Sequence, residues 1–573
     1  MQKEKESSPY QSRAELFVGE CFEDDPGRIK AALSSVTVVI GIPKSLAKTR
    51  LGQIGLVTAT NIVARLGALV PSLFFDVPVD VKVLDGIPLL KSGQSLLESL
   101  VGLTRSLAQV QPSVKERCIA NKKTRYDYGL FIGKVTLGAR QSVTIGANRW
   151  LASIRTDGRS ERIDVSDKNP LGIALAAAIG SSELVKRMWM ELPNTSAKIE
   201  TIGDRVVVSA FDFTVNPKHP TNPVMRGPCE LNHVVLLGCG AIGSAALFTL
   251  SCLPDLRMSL DLVDMDFIEP SNEERLFTSS SPKEDLGKLK VVHAQKFMQR
   301  SQHDVNTFIY PMAYEKYVDD SRVRLGYLWV ALDSAEARRG LQSELASVMC
   351  NGATDGGRWM VSMHEYANPE NCCLIDLYSQ SDAERFDPVL ELSKWSGLNL
   401  EEIHNWSHTG GLLGHDIITR AASRQADLSK RRAIYALTGL TYPQVLAGLC
   451  STMRPSPNAP AATISFVSLA PAIALVSDCV KRCLYNWRPK ASEPNMVLFD
   501  MLGHPNRSRR MRVRAESGCM CQSKLYREAF TTRQNMRRPY LNKMFRSASL
   551  ASLPEGPKQE MAQRKIRFAH YYK

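Results

Sequence analysis

The sequence predicts an α/β protein of two related strand, turn, helix and strand halves, the first degenerate and the second intact, with a cysteine-bearing segment inserted into the second. Three observations predict it. An apolar strand, VVLLGCGAIGSAALFTL, runs into Gly238, Gly240 and Gly243, the G-x-G-x-x-G spacing of a turn that opens a helix. A second strand, LDLVD, then ends at Asp264, with Asp266 two residues beyond. Upstream, Val36 to Asp76 repeats the same order of elements without the tight glycine spacing.

Taken in order, the N-terminus MQKEKESSPY lacks the apolar centre of a secretory signal, and no apolar run reaches membrane-spanning length. A cytoplasmic location is expected. The first half opens with a β-branched strand, Val36 to Ile40, leading to Gly41. The loop beyond it carries Pro43, Lys44 and Ser45, so its backbone comes less close to a phosphate than a glycine turn does. The small-residue helix PLGIALAAAIGSSELVKRMW suits the packing helix that closes such a half. Residues 215–232, VNPKHPTNPVMRGPCELN, concentrate proline and turn formers and read as an interdomain linker before the intact strand.

At 573 residues the chain is long enough for two or three domains. The net charge of +14 invites a nucleic-acid reading. Much of that charge sits in residues 524–573, in KLYREAFTTRQNMRRPYLNKMFRSAS and QRKIRFAHYYK, and no nucleic-acid-binding motif accompanies it. Nucleic acid is therefore not the expected partner, and an acidic protein fits the tail as well. Thirteen cysteines, an odd number in an intracellular-looking chain, argue for thiols, metal ligands or catalysis over a disulfide framework.

The glycine turn brings backbone N–H groups and a helix N-terminus to a phosphate, and Asp264 can accept hydrogen bonds from ribose hydroxyls. An NAD enzyme and an ATP enzyme would both show this. The continuation separates them: Asn272, Arg275 and Lys290 follow, and positive groups there offset the charge that spreads over a triphosphate when its α-phosphorus is attacked. A later apolar strand, YLWVALDSAEARRGLQ, ends in Asp333, an oxygen ligand for a hard cation such as magnesium at the same sheet edge.

The series G-x-G-x-x-G, D-x-D, S-N-x-x-R, G-x-x-K and D-S-x-x-x-R resembles the ThiF/MoeB superfamily, which includes the ubiquitin-activating enzymes. The resemblance implies two Rossmann-like adenylation-type halves, the first inactive and the second active, and ATP-dependent adenylation of the C-terminal glycine of a small β-grasp protein. It assigns Gly238, Gly240, Gly243, Asp264 and Asp266 to the nucleotide, Asn272, Arg275 and Lys290 to its phosphates, and Asp333 to magnesium. SPYQSRAELFVGE resembles the family's N-terminal helix, whose arginine reaches the nucleotide of the neighbouring unit; Arg13 is the candidate, one residue further from Tyr10 than usual, and a surface arginine is the alternative. The implied divisions are 1–222, inactive domain; 223–373, nucleotide-binding part of the active domain; 374–460, crossover and catalytic-cysteine insertion; 461–523, return of the active domain; and 524–573, basic tail.

Cys450 ends LTYPQVLAGLC before a proline-rich loop, and C-S-T-M-R-P is similar to the C-T-x-x-R-P run of autophagy-type activating enzymes. That resemblance makes Cys450 the thiol that takes the activated carboxyl, with Arg454 favouring its thiolate; a buried core cysteine is the alternative. The family often binds structural zinc through two C-x-x-C pairs, and the matching places here hold Cys372 with Cys373 and Cys519 with Cys521. Four thiolates satisfy tetrahedral zinc, yet both spacings depart from C-x-x-C, and a degenerated site is the alternative. Cys239 reads as a small filler, and Cys479 and Cys483 as packed residues. His404, His408 and His415, interrupted by glycines, read as a loop or a helix end.

The partners implied are a ubiquitin-like protein and a conjugating enzyme with a catalytic cysteine, with a homodimer left open. Three rivals remain: a sulfur-carrier adenylyltransferase without thioester transfer, an NAD-dependent oxidoreductase, which leaves Arg275, Lys290 and Asp333 unexplained, and a non-enzymatic scaffold for a β-grasp protein.

Overall fold

A computed structural model of the chain describes most of residues 31–537, together with residues 13, 14, 17 and 18. Residues 1–12, 19–30, 443–462 and 538–573 lie outside the described residues, as do shorter stretches such as 379–391. Cys450 and the proline-rich loop after it fall in the third of these.

Two sheets repeat one topology. The first contains β1 (Thr37–Gly41), β2 (Ser72–Asp76), β3 (Glu116–Ile119), β4 (Tyr126–Ile132), β5 (Ala139–Asn148), β6 (Leu151–Arg155) and β7 (Arg205–Ser209), in the order β3-β2-β1-β4-β5-β6-β7. The second contains β8 (Val234–Leu237), β9 (Arg257–Val263), β10 (Asp304–Tyr310), β11 (Tyr327–Val330), β12 (Val348–Asp355), β13 (Arg358–Glu365), β14 (Met496–Asp500) and β15 (Arg509–Met511), in the order β10-β9-β8-β11-β12-β13-β14-β15. In each, the first five strands of the order are parallel and the rest antiparallel. The second sheet thus reproduces the first strand for strand and adds β15 at the edge.

The strand sequences follow from their places. VVLL in β8 is buried on both faces, as central parallel strands are, and so reads as an unbroken apolar run. RWMVSMHE in β13 mixes exposed, half-buried and buried positions, as suits an antiparallel strand near the sheet's margin.

The helices that matter for the site are α1 (Arg50–Ala64), α2 (Leu171–Met190), α3 (Ala241–Ser251), α4 (Lys290–Arg300) and α5 (Ser465–Leu484). Fourteen of the fifteen residues of α1 and eighteen of the twenty in α5 are buried, which accounts for their lack of a polar face. Helix α5 packs on α3 within its own half and on α2 of the other, so the halves meet helix to helix. Small residues along α5, from Ser465 through Ala474, permit that close approach. One buried apolar cluster runs from Ala14 to Met501 through both sheets.

Polar contacts fix the register of the halves. Ser465 Oγ donates to Ile62 O at 3.2 Å, Ser182 Oγ to Met501 O at 2.6 Å and Lys481 Nζ to Phe211 O at 2.7 Å. Arg50, at the start of α1, donates to Cys252 O and Leu253 O, just past the end of α3, at 2.8 and 3.3 Å. These carbonyls have lost water, and the donors spare them the cost of burial without a partner.

The insertion is visible as a difference between the halves. The first half passes from β6 to α2 through residues 156–170, whereas the second passes from β13 to α5 through residues 366–464. Within that stretch, Leu392, Leu398, Ile403, Trp406, Ile418 and Ile434 belong to a small separate core. Of the loop or helix end expected for the histidine-bearing segment, the helix end is found for two residues: His408 is next to last in the helix Leu400–Thr409 and His415 opens the helix His415–Ser423, whereas His404 lies inside the first helix. The glycines fall between these two helices and so interrupt neither. The basic tail begins as a helix, Lys524–Arg537. No helix among the described residues is long and apolar enough to cross a membrane.

Candidate active site

The turn after β8 is glycine-rich for separate steric reasons. Gly238 has φ of +92°, and a Cβ there would lie 2.6 Å from Ala331 O at the end of β11. A Cβ at Gly243 would lie 2.0 Å from Gly238 O, so only glycine lets the first turn of α3 sit against the loop that leads to it. A Cβ at Gly240 would meet nothing within 4 Å. Gly240 is the N-cap of α3 and offers no side-chain cap, which leaves the helix N-terminus open to an anion.

The first half closes the same place. Eleven positions separate Gly41 from Gly52 where five separate Gly238 from Gly243. The additional residues form a short helix, Lys44–Ala47, and Gly52 packs against it, its Cβ position 2.1 Å from Leu46 O. Thr49 then caps α1, its Oγ1 accepting from Gly52 N at 3.1 Å. A helix N-terminus capped by its own side chain has already spent a donor that a phosphate would use.

Around the open turn, Asp264 accepts the Cys239 N–H at 2.7 Å through Oδ2 and the Asp266 N–H at 2.8 Å through Oδ1. Burial lifts its carboxyl above the usual range against the pull of Lys290. Lys290, the first residue of α4, donates from Nζ to Asp266 Oδ2 at 2.8 Å. Burial works against that ammonium, but Asp264 and Asp266 outweigh it and raise its pKa, so Lys290 remains a cation.

Asn272 and Arg275 lie on the 3-10 helix Pro270–Arg275. Asn272 Oδ1 accepts from Glu269 N at 3.1 Å, so this side chain caps the turn that carries Arg275. Burial lowers the Arg275 pKa while Asp333 and Glu274 oppose the shift. Among the described residues no carboxylate lies within ion-pair distance of Arg275. Asp333, three residues past β11, is exposed and acts electrostatically on Arg275. Arg338 braces that corner: it donates to Leu332 O, to Gly352 O at 3.0 Å and to Asn351 Oδ1 at 2.5 Å. Arg13 is 4 % exposed, and the N–H of its neighbour Ala14 donates to Glu274 Oε2 at 2.9 Å. The candidate arginine is therefore buried beside the Arg275 turn, away from the open surface.

A profile of the ThiF family matches residues 230–521, just over half of the chain and the whole of the second sheet. The chain belongs to the ThiF family. Its second half is an adenylation-type, adenylyltransferase-like domain. A curated relative, an uncharacterized protein y4jF of Sinorhizobium fredii, is 23% identical over 406 residues, covering 69% of this chain and 71% of the relative. Solved structures of E. coli MccB with MccA-N7isoASN and with ATP are 13% and 14% identical, with TM-scores of 0.32 and 0.31; each covers 51% of this chain and 67% and 66% of theirs.

The ThiF region also contains a donor cluster. The ligand atoms of Cys373, Asp376, Cys519 and Cys521 all lie within 4.8 Å of one another. Cys519 Sγ is 3.5 Å from Cys373 Sγ and 3.3 Å from Cys521 Sγ, near the separation of about 3.8 Å that tetrahedral zinc–thiolate bonds of 2.3 Å impose. Three of the four expected cysteines come together, and Asp376 stands where Cys372 was expected. The reason is local. Cys373 is the N-cap of the short helix Leu374–Leu377, whereas the Cys372 thiol turns to Asn495 Nδ2, 3.7 Å away. The missed signal was C-x-x-D at the C-x-x-C spacing, Cys373 to Asp376. The Cys373 and Cys519 thiols draw the Cys521 pKa down to about 6, while burial pushes Cys519 up to about 12. Such a cluster suits an ion that deprotonates its ligands together.

Two outcomes follow for this region. Protein purified without chelator should carry about one zinc per chain by elemental analysis; Cys521→Ser should lose it and Cys372→Ser should keep it, and loss in Cys372→Ser would reject this donor set. The second concerns Asp285, which accepts from Ser279 Oγ at 2.7 Å and from Lys288 Nζ at 2.8 Å beside His293. Burial would raise its pKa, but His293, Lys288 and Ser279 outweigh it and hold the carboxyl well below the usual range. A depressed folded pKa contributes stability that is present above the unfolded value near 3.9 and is lost as pH falls toward the folded one. Asp285→Asn should thus cost about 1–3 kcal/mol at pH 7, shrinking below pH 4 in denaturant titrations; a cost independent of pH would contradict the assignment.

Proposed function

We propose that this protein uses ATP and magnesium to adenylate the C-terminal carboxylate of a ubiquitin-like protein, takes the acyl group as a thioester on Cys450, and passes it to the cysteine of a conjugating enzyme. The observation that carries the adenylation step is the uncapped N-terminus of α3 at Gly240, in the same electrostatic neighbourhood as Arg275, Lys290 and Asp333. An NAD site needs the first of these and has no use for the cation pair.

In the reaction, a carboxylate oxygen of the carrier attacks the α-phosphorus. The new O–P bond forms as the bond to pyrophosphate breaks, and pyrophosphate leaves with the electron pair. The N–H groups at Gly240 and the cations Arg275 and Lys290 face the charge that builds on the phosphates. Asp264 keeps lone pairs for the ribose beyond the two N–H groups that fix it. Magnesium, when bound, would neutralise phosphate charge, and Asp333 is the carboxylate available to it. No strong base is required, because the attacking group is already ionised and the main demand is orientation. The Cys450 thiolate then attacks the acyl carbon of the mixed anhydride and AMP departs.

The test is a non-reducing gel with intact-mass analysis of the full chain, ATP, magnesium and a β-grasp protein with a free C-terminal glycine, comparing wild type with Cys450→Ala. A thiol-sensitive adduct absent from the variant is expected. Pyrophosphate release with no adduct would replace the thioester step with the sulfur-carrier reading.

A further inference from the structure

We infer that Arg65, in the half without an open phosphate turn, is the positioning residue for Arg275 in the other half, an inference that rests on the adenylation reading of the site. Arg65 caps the C-terminus of α1 and is 2 % exposed. Its guanidinium crosses between the halves, where Nη1 donates to Glu273 O and Nη2 to Ser279 O, the latter at 2.6 Å. Those carbonyls lie on either side of Arg275. Nε donates to Asn61 Oδ1 at 2.9 Å, and Asn61 Nδ2 donates to Phe277 O at 3.1 Å. The guanidinium also lies 5.9 Å from the centre of the Phe277 ring.

One side chain of α1, Asn61, and its cap Arg65 thus hold three carbonyls of the segment 273–279. Burying a guanidinium is costly unless its donors are satisfied, and here two of them are satisfied by the backbone of the segment that carries the phosphate arginine. The segment is also held by α3, where Ser244 Oγ accepts from Phe277 N at 3.2 Å while its one proton lies between Ala241 O at 3.1 Å and Arg275 O at 3.4 Å. Because no carboxylate clamps the Arg275 side chain among the described residues, its direction is set through this backbone. The guanidinium holds Glu273 O and Ser279 O from two nitrogens of a rigid planar fork, and an ammonium, with its donors on one nitrogen, does not reproduce that geometry. The degenerate half, which has closed its own anion site, contributes orientation to the active one within the same chain.

The experiment compares wild type, Arg65→Lys and the milder Asn61→Ala, each alone and with Arg275→Ala. Readouts are ATP–pyrophosphate exchange with a β-grasp protein bearing a C-terminal glycine, and amide hydrogen exchange of the full chain. We expect Arg65→Lys to lower kcat about tenfold to a hundredfold with little change in KM for ATP, as for a misplaced transition-state contact. Peptides covering 270–279 should exchange faster while those of β8 and β9 do not. In the Arg275→Ala background Arg65→Lys should lower kcat no further. Additive losses, unchanged protection of 270–279, or a fall explained wholly by less folded protein would overturn the inference. Wild-type protein without pyrophosphate exchange would instead remove the adenylation reading, and the protection of 270–279 would still decide whether Arg65 holds the segment.

Discussion

The contact on which the site depends is the approach of the first turn of α3 to the loop in front of it. Gly243 sits over the Gly238 carbonyl with no room for a methyl group, and Gly238 takes a left-handed conformation beneath the end of β11. That closeness aims the uncapped N-terminus of α3 outward past Gly240, where nothing crowds it. Every other part of the site is arranged around this point: Asp264 is fastened to the Cys239 N–H within the turn, and Lys290 is tied back through Asp266. In the first half the same approach is kept at Gly52, but a short helix and the Thr49 cap occupy the opening. The two halves differ less in fold than in whether one helix end is free.

The asymmetry does not leave the first half without contacts to the second. A half with a closed helix end has no evident use for a nucleotide, yet its α1 and the cap of that helix supply Asn61 and Arg65 to the segment that carries Arg275. Helix α5 binds the arrangement together by packing on both α2 and α3, with nearly all of its length buried. The apolar cluster is continuous, so displacement of one half would be felt in the core of the other.

Much of this was legible in the sequence because the signals were local. The glycine spacing, the Asp264 strand end and the Val36 to Asp76 repeat each follow from residues within one strand, turn and helix unit. The strand end at Asp76 falls where the sequence puts it, and the first strand, expected over Val36 to Ile40, runs one residue later, from Thr37 to Gly41. What was not legible depends on tertiary neighbours. Arg65 looks like any arginine after an apolar helix until the segment 273–279 is placed beside it, and nothing in the spacing of Cys372 says that its thiol turns to Asn495 while Asp376 joins Cys373. Arg338 was visible within D-S-x-x-x-R, but its hold on the Leu332 and Gly352 carbonyls was not. The helix ends at His408 and His415 agree with the glycines beside them, and only His404 lies inside a helix.

The most direct measurement is the stoichiometry of magnesium–ATP binding to the full chain by equilibrium dialysis or calorimetry, with Gly243→Ala as control. One open and one capped helix end predict one nucleotide per chain, and loss of that site in Gly243→Ala, whose added methyl would meet the Gly238 carbonyl at 2.0 Å. Two nucleotides per chain, or one that survives Gly243→Ala, would contradict the account.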